Sequence, residues 1–199
     1  AFLIILISIT VILFSWLMFQ QTHTIEYALR KTLFNGVSIL TGTGYSSDNY
    51  MLWGSFPISI FFVIGLIGGC AGSTTCSIKV FRFQILFSAI GSQIKQMHFP
   101  SAVVATRYEG KRVSVDIVSS VIAFFILFFA SLFLIALALS ATGLDFVTAI
   151  SGAVSTLANI GPGLGERIGP IGNYAELNNV AKLILIFSMF VGRLELMVV

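Results

Sequence analysis

Charged side chains are scarce in this sequence. Asp, Glu, Lys and Arg make up 10% of the 199 residues, against about 25% in an ordinary soluble domain. With 57% of residues hydrophobic and a mean hydropathy of +0.99, that shortage excludes a soluble domain and points to an integral membrane protein. Histidine and cysteine are nearly missing as well. The two histidines, His23 and His98, stand apart, with no HExxH motif and no clustered carboxylates, so zinc and acid–base catalysis have no support. Cys70 and Cys76 both fall in an apolar, Gly-rich segment and read as small buried hydrophobes rather than as a disulfide or metal pair. Also lacking are an initiator Met, a basic stretch ahead of the first apolar run and a small-residue cleavage site. "AFLIILISITVILFSWLMF" is therefore expected to be a transmembrane helix and not a signal peptide, and the chain, which ends inside another apolar run, reads as part of a longer polypeptide.

The few charges that are present are not scattered. Arg82, Lys95, Arg107, Lys111 and Arg112 face the single acid Glu109 in one segment, which the positive-inside tendency places on the cytoplasmic side. Nucleic acid is a poor partner for it, because no stacking aromatics are interleaved.

Hydropathy gives spans at about 1–19, Pro57–Ser88 and Val113–Leu139, and an apolar segment from about Leu177. Shifting the chain on itself by 117 residues lays "VSILTGTGYS" (37–46) over "VSTLANIGPG" (154–163), matching Val37 with Val154, Ser38 with Ser155, Leu40 with Leu157 and Gly44 with Gly161. Each block follows a short helix-like run, Glu26–Leu40 or Leu144–Leu157, and precedes a second span. Glu26–Leu40 as a helix is roughly 22 Å long, too short for a hydrocarbon core of about 30 Å. A short helix ending in Gly-rich chain between two spans reads as a re-entrant pore helix and filter loop, because irregular backbone at membrane depth survives only where protein buries it or where it lines a water-filled cavity. The alternative is a pair of short surface helices with Gly turns in external loops. The expected fold is thus an all-α integral membrane protein of repeated span, pore helix, filter loop and span units: a repeat over 1–90, a cytoplasmic linker over 91–112 and a second repeat over 113–199.

A cation that crosses lipid must exchange its water shell for oxygen ligands, and a ring of backbone carbonyls supplies them without a trapping charge. Gly44 and Gly161 provide the backbone freedom such a ring needs. Each short helix would aim its partly negative C-terminus, near Leu40 or Leu157, at the same axis.

"TGTGYS" (41–46) resembles a degenerate form of the potassium-channel filter TVGYG, and "NIGPGLGE" (159–166) resembles the fourth filter loop of the Trk/Ktr/HKT superfamily. "GGCAGSTTCSIKVFR" (68–82) resembles the broken second helix of that superfamily's third repeat, and "GRLE" (192–195) the second helix of its fourth. In this order the four stretches resemble the TrkH type of bacterial potassium-uptake subunit, whose members have four repeats around one pore; this chain would be the third and fourth. The resemblance implies a multi-pass protein of the bacterial plasma membrane, a homodimer, a cytosolic nucleotide-binding regulatory subunit of the TrkA kind, and potassium as transported ligand with no covalent cofactor. It implies potassium-coordinating carbonyls at Gly42, Thr43 and Gly44 and at Asn159, Ile160 and Gly161. Gly42, Ser46 and Pro162 depart from the potassium-channel motif, which bears on discrimination against sodium.

Gly65 and Gly69, and again Gly68 and Gly72, are GxxxG pairs, whose other use is close helix packing. Ser73, Thr74, Thr75 and Ser77 beside helix-weakening glycines favour a broken helix lining a cavity. The resemblance makes it a gate loop of Gly68, Gly69, Cys70, Ala71, Gly72, Ser73, Thr74 and Thr75 below the filter. A charge within a span costs at least about 2.5–3.5 kcal/mol, and Arg193 sits inside the last apolar run, two positions from Glu195, where the two side chains point to different helix faces. Arg193 is therefore expected to face the pore as a gate residue, with a snorkelling Arg as the alternative, while Lys79 is expected to snorkel at the interface. The rival functions are a sodium- or proton-coupled symporter with its site at the break, an intramembrane enzyme, for which no acid–base pair or nucleophile dyad is present, and a structural scaffold, which would not need two Gly-bearing re-entrant loops.

Overall fold

The computed structural model describes residues 2–20, 24–69, 73, 75–99, 106–108 and 110–194. Helices α1 (Phe2–Phe19) and α5 (Val115–Ala141) are, among the described helices, the two long and apolar enough to cross a bilayer. Leu3, Ile4 and Ile7 on α1 and Ile126, Phe133 and Leu137 on α5 are exposed, the outward face that a lipid solvent calls for.

Each long helix is followed by a short one packed against it: α2 (Ile25–Thr41) against α1 and α6 (Phe146–Leu157) against α5. At 17 and 12 residues they are about 26 and 18 Å long. Polar caps set where the helices begin. Thr24 accepts from the Tyr27 N–H, Ser114 from Ile117, Asp145 from Thr148 and Asn178 from Ala181, each satisfying a donor that the first turn leaves open.

The apolar segment expected over Pro57–Ser88 is broken as its glycines suggest. Helix α3 (Ser55–Leu66) stops, and helix α4 (Val80–His98) starts only after a link of which residues 67–69, 73 and 75–79 are described. Strands β1 (Ile67–Gly68) and β2 (Ile78–Lys79) close the base of that link as a parallel pair, with Ile67 opposite Ile78 and Gly68 opposite Lys79. Cys70, Ala71, Gly72 and Thr74 lie outside the described residues, as do His23, Glu109 and Glu195. Lys79 does not snorkel: it is 8% exposed, because the parallel pair draws it into the fold. Helix α4 also runs past Ser88 to His98, since Gln93, Lys95 and Gln96 are good helix formers that a hydropathy scan does not register. Beyond it, strands β3 (Arg107–Tyr108) and β4 (Lys111–Arg112) form a basic antiparallel hairpin against α4.

Two cores result. One joins Phe124, Phe128 and Leu139 of α5 to Ala149, Ala153 and Leu157 of α6 and to Ala181 and Leu185 of helix α7 (Asn179–Arg193). The other gathers Leu13 and Leu17 of α1, Ile39 of α2, and Phe61 and Ile64 of α3, and it takes in Ala158, Ile160 and Leu164 from beyond the end of α6. The second half of the chain thus inserts its Gly-bearing loop into the core of the first.

Candidate functional site

The two short helices end in the same way, residue for residue, in the 117-residue register. At the end of α2 the Gly42 N–H donates to Ile39 O at 3.1 Å and the Thr43 N–H to Ser38 O at 3.0 Å. At the end of α6 the Asn159 N–H donates to Thr156 O at 3.2 Å and the Ile160 N–H to Ser155 O at 2.9 Å. Gly42 and Asn159 hold equivalent left-handed positions, with φ of 72° and 52°. Gly is the default there, and Asn is among the few other residues that tolerate it. Two residues on, Gly44 and Gly161 again have positive φ, 74° and 117°.

The two loops touch. A Cβ on Gly44 would lie 1.9 Å from the Ile160 carbonyl oxygen, and one on Gly161 would lie 3.9 Å from the Gly44 Cα. Of the six expected filter residues, Gly44, Ile160 and Gly161 are thereby brought together. The Gly161 carbonyl is already engaged: it accepts from the Ser155 hydroxyl at 2.7 Å and from the Tyr174 hydroxyl at 2.7 Å. Both of its lone pairs are occupied, so in this conformation it is not the open ligand that the resemblance implies.

Each loop is also tied back to its own short helix three residues beyond the second glycine. Asn35 donates to Ser47 Oγ at 3.2 Å and accepts from the Ser47 N–H at 3.1 Å. Ser151 donates to Leu164 O at 2.9 Å and accepts from the Leu164 N–H at 3.0 Å. Asn35 is completely buried. Asn35→Ala is expected to lower the stability of the full-length protein by about 1–3 kcal/mol, because the Ser47 N–H is left without its partner. Thermal unfolding in detergent checks this, and an unshifted Tm would remove the anchoring role.

The break packs against the carbonyl end of α2. The Gly69 N–H donates to Leu40 O at 3.3 Å and the Thr75 hydroxyl to Thr41 O at 3.4 Å, so the broken segment caps the carbonyl end of α2. Ser73 Oγ donates to Thr75 Oγ1 at 3.2 Å, while Ser77 is buried and its hydroxyl has no hydrogen-bond partner among the described residues. From the other half, Arg193 Nη1 lies 3.7 Å from the Sγ of buried Cys76. Arg193 and the break are thus brought together, and Cys76 and Arg193 are themselves 117 residues apart. Helix α7 reaches this spot because Gly192 lets it press on the end of α6. There Asn159 Nδ2 donates to Met189 O at 3.1 Å and Thr156 Oγ1 to Ser188 Oγ at 2.9 Å.

Tyr174, Asn35 and Ser151 were not legible as site residues from the sequence. Ser155 carried one signal, its match with Ser38 in the repeat.

Span, short helix, Gly-bearing loop and second helix, occurring twice with equivalent terminal bonds, define a helical membrane protein built from repeated pore-type units. Comparison with known proteins fixes the family. The TrkH family, described as cation transport protein, matches residues 1–199. The Trk system potassium uptake protein TrkI of Halomonas elongata is 42% identical over 99% of this chain and 40% of its own length. TrkH of Vibrio parahaemolyticus is 34% identical over 98% of the chain and 40% of its own length. The crystal structure of the potassium transporter TrkH from Vibrio parahaemolyticus superposes with a TM-score of 0.90 at 32% identity, covering 98% of this chain and 41% of that one. The chain belongs to the TrkH family of cation transport proteins, which are transporters and not enzymes. It spans about 40% of the length of these relatives.

Proposed function

We propose that this chain forms the third and fourth repeats of a protein that takes up potassium through a central pore in the bacterial plasma membrane. The observation that carries the reading is the pair of equivalent helix ends with Gly44 and Gly161 in contact. Carbonyls of Gly42, Thr43, Gly44, Asn159 and Ile160 replace the water shell of a potassium ion, and Gly161 supplies the turn that presents them. The C-terminal ends of α2 and α6 add about half a negative elementary charge each toward the ion. The relatives' names support potassium as the cargo. A second copy of the chain and a cytosolic nucleotide-binding subunit of the TrkA kind complete the assembly.

The break between α3 and α4 is the gate, with residues 68–75 as its loop. Its donors sit on the Leu40 and Thr41 carbonyls, where they quench the field that would otherwise favour a cation. The Ser77 hydroxyl, buried and without a hydrogen-bond partner among the described residues, costs about 1–3 kcal/mol, which keeps the segment less stable than a continuous helix and ready to move. Arg193 adds the electrostatic part. At an effective dielectric of about 20, a guanidinium roughly 6 Å from a passing cation opposes it by about 3 kcal/mol, or around a hundredfold in rate. Arg193→Ala is therefore expected to raise potassium flux through the full-length protein by up to about a hundredfold, and Arg193→Lys to retain much of the barrier. Flux measured at equal protein density tests this. A silent Arg193→Ala would take Arg193 out of the ion path.

A further inference from the structure

We propose that Tyr174 and Ser155 form a two-hydroxyl clamp on the Gly161 carbonyl, and that this clamp makes Tyr174 a positioning residue for ion selectivity. The proposal rests on the pore reading above. Ser155 Oγ and Tyr174 Oη each lie 2.7 Å from Gly161 O and 3.2 Å from one another. Each hydroxyl has one proton to give. With both given to the same carbonyl, the close approach of the two hydroxyls is a consequence of the shared acceptor and not a third bond.

The clamp acts on a peptide that needs restraint. Gly161 has no Cβ, so its flanking peptide planes reorient at little cost. The carbonyl before it, that of Ile160, is the one pressed against Gly44. Selection by a carbonyl ring depends on the size of the cavity or on the number and field of its carbonyls. On either account a peptide that flips changes the answer, and two hydroxyls anchored from outside the loop prevent the flip.

The anchors are firm. Ser155 is 2% exposed on α6. Tyr174 opens a one-turn helix, Tyr174–Glu176, fixed by Asn173 Oδ1 accepting the Ala175 N–H at 2.9 Å. The Ala175 carbonyl accepts Lys182 Nζ of α7 at 2.6 Å. The clamp therefore reads the position of α6 through Ser155 and that of α7 through Tyr174. Burial pushes the phenol pKa up, which keeps the donor proton in place.

The device belongs to one repeat. In the 117-residue register Ser155 matches Ser38, but Tyr174 matches Pro57, which has no hydroxyl. The third-repeat loop is held from within instead, by the Thr43 hydroxyl donating to Ser38 O at 3.2 Å.

The test is the potassium-to-sodium permeability ratio of the full-length protein in liposomes, for the parent, Tyr174→Phe, Ser155→Ala, Ser155→Thr and Gly44→Ala. Tyr174→Phe and Ser155→Ala are each expected to lower the ratio about five- to tenfold, the scale of one lost hydrogen bond, with sodium flux rising. Ser155→Thr, which keeps the hydroxyl, restores the ratio. An unchanged ratio in Tyr174→Phe and Ser155→Ala beside an altered Gly44→Ala overturns the clamp and leaves the pore reading standing. Equal losses of potassium and sodium flux with a lowered Tm also overturn it, because they mark a purely structural role. A parent that does not distinguish the two ions overturns the clamp, and a Gly44→Ala variant indistinguishable from the parent overturns the pore reading and the clamp with it.

Discussion

Gly44→Ala in the full-length protein is expected to lower potassium uptake by about tenfold or more, while the protein still inserts in the membrane. Two costs fall on one methyl group. At φ of 74° an L residue is strained, by roughly 1–2 kcal/mol. The larger effect is steric, since the new Cβ would stand 1.9 Å from the Ile160 carbonyl oxygen. That neighbour is backbone, held at its own N–H by Ser155 O at 2.9 Å, so it cannot swing aside as a side chain would. The two loops must separate, and the carbonyls they present separate with them. A rubidium uptake assay with a parallel measure of membrane-inserted protein distinguishes this from misfolding. Gly91→Ala is the matched control: its Cβ would meet nothing within 4 Å in α4, and it should transport as the parent does.

Gly192→Ala should be almost as severe, but through the packing of α7. The added Cβ would lie 1.9 Å from the Leu157 carbonyl oxygen and 2.9 Å from Asn159 Nδ2. Helix α7 must then lift off α6. That strains or breaks the Asn159 bond to Met189 O and the buried Thr156 to Ser188 contact. Overpacking together with lost buried hydrogen bonds amounts to about 3 kcal/mol or more, a fall in Tm of several degrees. Because Asn159 is also a proposed filter residue, transport is expected to decline along with stability. A Gly192→Ala protein with the parent's Tm and the parent's flux would mean that α7 does not seat on the short helix.

The parts of this structure that were legible in the sequence are those that hydropathy and glycine encode. Long apolar runs gave α1 and α5 to within two residues at each end, and the short run Glu26–Leu40 ending in Gly-rich chain gave α2 as Ile25–Thr41. The break at Gly68 to Ser77 followed from glycines and hydroxyls at mid-span. The repeat register was visible in four identities, but its strongest evidence is conformational. Gly42 and Asn159 occupy equivalent left-handed positions, and a pairing of Gly with Asn is what that backbone selects.

The unread features depend on tertiary placement. Tyr174 lies 13 residues beyond the glycine it holds, outside any motif and opposite a proline in the repeat. Lys79 looked like an interface residue from its neighbours alone, and only the pairing of β1 with β2 shows that it is drawn inward. The polar continuation of α4 to His98 is helical by propensity, to which a hydropathy scan is blind.

The central claim is that the Gly44 and Gly161 loops line a potassium path. Its most direct test is efflux of potassium, rubidium, sodium and lithium from liposomes holding the full-length protein, beside the same protein carrying Gly44→Ala. Passage of potassium and rubidium ahead of sodium and lithium, lost on the substitution, is the predicted result. Flux that ignores both the identity of the ion and the residue at position 44 would contradict it.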